Sequence, residues 1–316
     1  MLVLDEQHTS RALPWSELIG AIERIFAGGC VVPVRHHLDV AVPGERDATL
    51  LMMPAWIPGE YIGVKLLSVF PDNHMRSLPA IFGTYLLSSG RTGEMLAVIE
   101  GGELTARRTA ATSALAARYL AREEAEEMLV VGTGRLSLNL IQAHAVTRPL
   151  KRFRVWGRNG EKAAAIVNEA RRLGYDASVA SDLEAACRNA DIVSCCTLSN
   201  EPLVRGAWLK PGAHLDLVGA FKPSMRETDD EAVSRAEIFV DTRAGALSEG
   251  GDLVQPLNAG VISESDIRAE LAELVRGEAK GRSSASAITL FKSVGAALED
   301  LAGAVLAYEY ASRGKN

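Results

Sequence analysis

Met128–Val146, MLVVGTGRLSLNLIQAHAV, decides the fold. An apolar run reaches Gly132-Thr133-Gly134, and apolar residues then recur at helical spacing, so the segment reads as strand, glycine turn and helix. Gly132 permits a tight turn. Gly134 lets the backbone come close to a pyrophosphate, whose charge a helix N-terminus meets. Gly132, Thr133, Gly134, Arg135, Leu136 and Ser137 together have the form of a dinucleotide fingerprint. Ser137 stands where a third glycine is usual, and serine is small enough for close helix packing.

The surroundings give the motif its weight. Downstream come a strand in RFRVWGR (152–158), a helix over 161–173, a short strand over 177–180 and a helix over 182–189. Strands in DIVSCCT (191–197), HLDLVGA (214–220) and AEIFVDT (236–242) follow, the last of them read as the final strand of this run. Strands alternating with helices mean βαβ units and a parallel sheet, hence an α/β nucleotide-binding domain of Rossmann type. At the end of the second strand, where an acidic residue would hold a ribose 2′-hydroxyl, the chain has Trp156-Gly157-Arg158-Asn159. Arg158 is suited to a 2′-phosphate, which favours NADP(H) and leaves NAD(H) possible. The alternative is a solvated surface arginine.

Upstream, residues 15–27 read as an amphipathic helix stopped by Gly28 and Gly29. Short β-like runs follow at Val31–Val34, Thr49–Met53, Tyr61–Val69, Ile81–Leu87 and Met95–Glu100, with turn signals between them, and predict an antiparallel sheet. Residues 104–121 are an alanine-rich helix, and a charged break lies near 121–127. Residues 288–311 read as a short strand entering a long amphipathic helix.

With 34 basic against 40 acidic residues the formal charge is −6, and no nucleic-acid or anionic-lipid footprint is visible. The longest apolar runs fall short of a membrane helix, and MLVLDEQHTSR lacks the form of a signal peptide, so a cytoplasmic location is expected. Cys30, Cys187, Cys195 and Cys196 form no C-x-x-C or zinc-ligand pattern and read as reduced thiols, with no metal expected. No G-x-S-x-G or H-E-x-x-H motif supports a hydrolase. Among the histidines, His36-His37 and His74 read as exposed loop residues, His144 as structural within its helix, and His214 as half-buried at a strand start.

The first half carries spaced cations: Arg35, Lys65, Arg107 and Arg108. Lys65 interrupts an apolar strand pattern and points either into a cleft or to solvent. Arg107-Arg108 reads as standing at a helix start, where the dipole disfavours cations, which points to an anionic partner.

Several segments together resemble the ornithine cyclodeaminase/mu-crystallin family. They are Gly63-Val64-Lys65-Leu66, Phe70-Pro71-Asp72-Asn73, Leu78-Pro79, Gly83-Thr84, Glu103–Ala111, Val130–Gly134, Val218–Pro223 with Met225-Arg226-Glu227, and Phe291–Gly295. The likeness covers nearly the whole chain, in family order. It implies a homodimer with a Rossmann domain (122–294) and a discontinuous α+β dimerisation and substrate domain (1–121 plus 295–316). It implies NAD(P) and a small imino-acid or amino-acid substrate. Arg35, Lys65 and Arg108 match positions that hold the substrate carboxylate and its neighbourhood, with Arg108 preferred to Arg107, and Thr84 is a further candidate. Lys65 and Arg108 are the catalytic candidates. The nicotinamide is expected over Cys196, Thr197, Val218 and Gly219, at the carboxyl ends of the parallel strands.

One departure is informative. The resemblance places an aspartate of the cyclodeaminases two residues after the Val-Gly at the strand end, and here Phe221 stands there. Phenylalanine accepts no proton. The expectation is therefore NAD(P)H-dependent reduction of a cyclic ketimine carboxylate, of the Δ1-pyrroline-2-carboxylate to L-proline type. An NAD-dependent ornithine cyclodeaminase and a non-catalytic NADPH-dependent binding protein are the alternatives, and alanine dehydrogenase activity also occurs in such proteins.

Overall fold

A computed structural model of the chain describes residues 1–313 and divides it into two compact units. One is Met1–Arg108 with the segment from Ala297 onward; the other is Thr109–Ala296. The first unit contains β1 (Leu2–Leu4), α1 (Glu6–Arg11), α2 (Trp15–Gly28), β2 (His36–Val40), β3 (Ala48–Ile57), β4 (Tyr61–Val69), β5 (Ile81–Ser89), β6 (Met95–Glu100) and the first turns of α3 (Gly101–Leu120). Its six strands run in the order β1-β6-β5-β4-β3-β2, antiparallel except that β1 lies parallel to β6.

Side chains alternate between the two faces of such a sheet. The register aligns Met53, Lys65, Tyr85 and Ile99 in one row across β3, β4, β5 and β6, and all four are buried. Three are the hydrophobic or aromatic residues that a core row requires, and the fourth is a lysine. One expectation fails here. Val31–Val34 makes only a single bridge, Val31 with Trp56, because Pro33 has no N–H to continue a ladder. The strand begins instead at His36. The five residues of β2 are all exposed, Leu38 and Val40 included, and the sequence reading assigned no strand there.

The second unit continues α3 and contains β7 (Glu127–Val131), α4 (Arg135–Thr147), β8 (Arg152–Trp156), α5 (Gly160–Arg172), β9 (Ala177–Val179), α6 (Leu183–Asn189), β10 (Ile192–Cys195), β11 (His214–Leu217), α7 (Asp230–Arg235), β12 (Ala236–Val240), α8 (Arg243–Glu249), α9 (Gly251–Asn258), β13 (Ile267–Glu270), α10 (Leu271–Val275) and β14 (Ile288–Lys292). All eight strands are parallel, in the order β13-β12-β14-β11-β10-β7-β8-β9. The strand order reverses between β7 and β10, the place where doubly wound sheets open a crevice at the carboxyl ends. The fold class is therefore α/β, with a Rossmann-type unit and an α+β unit. The strand in AEIFVDT is not the final one of its run: β13 adds an edge beyond it, too short and too polar to be read from apolar patterning.

The charge-dense stretch 122–127 lies inside the second unit and is not a linker. Arg122 pairs with Asp191 at 2.5 Å, and Asp191 also accepts from the backbone N–H groups of Glu126 and Glu127 and pairs with Lys210. The last helix, α11 (Ala297–Arg313), returns to the first unit and packs on α2, β3 and β4. Its Gly303 sits where a Cβ would come 2.8 Å from Leu104. Among the described residues no helix is long and apolar enough to cross a membrane.

Candidate active site

In the second unit four chain segments come level at the carboxyl edge of the sheet. The Gly132 N–H donates to Trp156 O (2.9 Å), Cys196 N–H to Val131 O (2.9 Å) and Val218 N–H to Cys195 O (3.0 Å). Gly132 has φ +138°, and a Cβ there would stand 2.6 Å from Cys196 Sγ. The buried Ser137 hydroxyl donates to Gly132 O at 3.0 Å, so the residue in place of a third glycine ties the turn to the helix. Gly134 differs. Its φ is −88°, and a Cβ would meet nothing within 4 Å. Nothing inside the protein requires a glycine there. Gly134 is also the N-cap of α4 and has no side chain, so no capping group of its own competes with an anion at the positive end of the helix dipole. Thr133 and Leu136 are half-buried, Gly134 and Arg135 exposed, and Arg158 is exposed just past β8. These features fit a dinucleotide whose pyrophosphate lies on Gly134.

The candidate nicotinamide loops are tied together by a residue the sequence reading gave no role. Glu227 is fully buried, and its carboxylate accepts from Thr197 N–H (2.6 Å), Thr197 Oγ1 (2.9 Å), Gly219 N–H (2.8 Å) and Ala220 N–H (3.2 Å). Burial and the nearby Asp252 push its carboxyl up to about 7, while Lys292 and these donors favour the anion. Asp252, also buried, accepts from the Glu227 N–H and pairs with buried Lys292 at 3.0 Å. Gly219 is locked: a Cβ would lie 2.1 Å from Thr197 O. Phe221 is half-buried just beyond it.

In the first unit the structure joins Lys65 and Arg108. Lys65 Nζ lies 2.7 Å from Asp300 Oδ2. Arg108 Nε donates to Asp300 Oδ1 at 2.8 Å, and its NH1 to Glu299 Oε2 at 2.5 Å. All four residues are buried. Burial drives the Lys65 ammonium down to about 8 and Asp300 opposes it, while Arg108 pushes further down. Burial acts to raise the Asp300 carboxyl, but Arg108 and Lys65 together hold it below its ordinary value. Burial opposes the Arg108 charge, and Asp300 and Glu299 outweigh it, keeping the guanidinium protonated. Lys65 therefore points inward, not to solvent.

Arg107 turns elsewhere. It donates to Leu13 O (3.0 and 3.1 Å) and Ser10 Oγ, with its guanidinium 4.1 Å over the Trp15 ring. The helix-start expectation also needs correcting. α3 begins at Gly101, so both arginines sit in its second turn, and the anionic partners of Arg108 are carboxylates of α11. Thr84 is half-buried in register with Leu66, so strand alternation turns it to the sheet face opposite Lys65. Arg35 is half-buried one residue ahead of β2. His36 and His37 lie in β2, not in a loop. His214 is fully buried, with Nδ1 3.0 Å from Thr289 Oγ1, and His144 is buried with Nδ1 3.0 Å from Leu140 O. The four cysteines are free.

The sequence reading missed Glu299 and Asp300. The available signal was two adjacent carboxylates within the otherwise apolar start of α11. A cavity of about 250 Å³ near the end of α3 is lined by Arg118, Arg122, Arg148 and Arg282 among others. Arg148 and Arg282 donate there to carbonyls of Arg118, Leu120 and Ala121, closing the helix C-terminus.

The ornithine cyclodeaminase/mu-crystallin family profile matches residues 2–315. The chain belongs to that family. Within it, the chain is 36% identical over 290 residues to a Δ1-pyrroline-2-carboxylate reductase of Paracoccus denitrificans, covering 92% of this chain and 90% of that one. The structure of the Δ1-pyrroline-2-carboxylate reductase of Thermococcus litoralis, in complex with NADH and L-proline, superposes with a TM-score of 0.92 at 34% identity, covering 100% of this chain and 98% of that one. An archaeal alanine dehydrogenase dimer with bound NAD superposes with a TM-score of 0.91 at 29% identity, covering 100% and 97%.

Proposed function

We propose that this chain is an NAD(P)H-dependent reductase of cyclic ketimine carboxylates, with Δ1-pyrroline-2-carboxylate to L-proline as the type reaction. The observation that carries the reading is the buried pairing of Lys65 with Arg108 through Asp300. It sets a proton-bearing amine beside a permanent cation, which are the two groups an imine carboxylate needs. The similar reductases from Paracoccus and Thermococcus support the substrate class. NADPH is the favoured cofactor, on the strength of exposed Arg158 and the lack of an acidic residue at the end of β8.

A nicotinamide cofactor supplies the hydride. Gly134 and the N-terminus of α4 would hold its pyrophosphate, and the loops tied by Glu227 would bear its nicotinamide end. Arg108 grips the substrate carboxylate with charge-assisted hydrogen bonds. Lys65 holds a proton for the imine nitrogen, which makes the carbon a better hydride acceptor. Phe221 offers no base at the strand end, which disfavours ornithine cyclisation. The working form is a homodimer. Exposed Leu38, Val40, Ile81 and Phe82 and the dimeric archaeal neighbour support that.

The test follows NADPH and NADH oxidation with Δ1-pyrroline-2-carboxylate, with ornithine plus NAD assayed beside it for ammonia. Rapid NADPH loss without ammonia is expected. Ammonia from ornithine refutes the inference from Phe221, and NADPH binding without turnover supports a binding protein instead.

A further inference from the structure

The site carries a carboxylate that the mechanism above does not use. Asp300 is wholly buried on the first turn of α11, and each of its oxygens faces a different cation. Oδ1 takes the Arg108 Nε–H at 2.8 Å, and Oδ2 lies 2.7 Å from Lys65 Nζ. We propose that Asp300 is the positioning residue of this site: it holds the Lys65 ammonium and the Arg108 guanidinium side by side and keeps Lys65 charged for proton transfer. The proposal rests on the reductase reading.

The charges around Lys65 explain why such a residue is needed. Lys65 faces Asp300 and Glu299 from α11, Arg108 from α3 and, as its cross-strand neighbour on β5, Tyr85. A lysine in this core row beside an arginine would lose its proton without an anion in contact. Burial, then Asp300, drives the Tyr85 hydroxyl far above its ordinary value, so it stays neutral. Arg108 is shifted up and Asp300 down. Lys65 is thus the member of this set poised near pH 8.

The step balances. The imine carbon accepts the hydride, the C=N π pair takes a proton from Lys65 Nζ, and a secondary amine forms while the cofactor leaves oxidised. Neutral Lys65 then recovers a proton from water. Lys65, Arg108, Glu299 and Asp300 carry two positive and two negative charges. An arriving substrate carboxylate makes the sum −1, which favours protonated Lys65. The alkaline limb of kcat therefore lies at higher pH than that of kcat/KM.

The experiment is a pH profile of imine reduction for wild type, Asp300→Asn and Asp300→Glu, with NADPH affinity measured by fluorescence in each. In wild type kcat/KM falls as pH rises through about 8. In Asp300→Asn the limb moves down by about one to two pH units, lowering kcat/KM about 5- to 50-fold at pH 8, with NADPH affinity unchanged. Asp300→Glu keeps the charge but displaces it by one methylene. Its limb stays in place, kcat falls about tenfold and NADPH affinity holds. An unmoved limb in Asp300→Asn overturns the proposal. If that variant does not fold, wild-type kcat in Asp300→Glu does so by itself. Absence of imine turnover in wild type refutes the reductase reading instead, and the role of Asp300 with it.

Discussion

Gly134→Ala separates a glycine kept for the ligand from a glycine kept for the fold. At Gly134 the backbone has φ −88°, which alanine adopts freely, and the added Cβ meets no atom within 4 Å. Restricting the unfolded chain stabilises by about 0.4–1 kcal/mol. Alanine at the N-cap costs about 0.5–1 kcal/mol in return, so stability changes by no more than about 0.5 kcal/mol. In a chain of this size that is a melting shift within roughly 2 °C. The same methyl stands where the pyrophosphate approaches. NADPH affinity is expected to fall about 10- to 100-fold, or roughly 1.4–2.8 kcal/mol. Gly132→Ala is the contrast. It forces alanine to φ +138° with its Cβ 2.6 Å from Cys196 Sγ, so stability falls by about 1–3 kcal/mol before any ligand is added. Thermal melting without ligand and fluorescence titration with NADPH read the two effects separately. Wild-type NADPH affinity in Gly134→Ala, or a melting loss as large as that of Gly132→Ala, would refute the assignment of the phosphate site.

Three other outcomes follow from the geometry. Arg158→Ala raises KM for NADPH about tenfold or more and leaves KM for NADH near its original value; equal effects on both cofactors would remove Arg158 from the 2′-phosphate. Arg107→Ala strips the Leu13 carbonyl of its donors and the Trp15 ring of its cation, destabilising the chain by about 1–3 kcal/mol in urea unfolding. Its kcat with the imine stays within about twofold, and a kcat collapse would show that Arg107, not Arg108, serves the substrate. Glu227→Gln replaces one of the two accepting oxygens with an N–H₂, which opposes the backbone donor of Thr197 or those of Gly219 and Ala220, weakening NADPH binding by about 1–3 kcal/mol in a fluorescence titration. Unchanged binding there would separate those loops from the cofactor.

Local pattern was sufficient for much of this protein. Met128–Val146 reads as strand, turn and helix because apolar period and glycine chemistry are properties of neighbouring residues. The boundaries of β4 and β6 follow from the same alternation. Lys65 was visible as a charge in an apolar strand pattern and Arg108 as a cation read at a helix start, and the family likeness gave them a use. Local pattern was insufficient where a signal is carried by pairing alone, as in the short edge strand β13. It was insufficient again where partners lie far apart in the chain. The alanine-rich start of α11 reads only as helix, and nothing local joins Asp300 to Lys65 and Arg108, 235 and 192 positions earlier. Glu227 and Asp252 acquire their place because parallel strands bring distant loop ends level at one edge. A buried charge must meet its opposite somewhere in the fold. The sequence announces the need; only the tertiary structure decides which residue answers it.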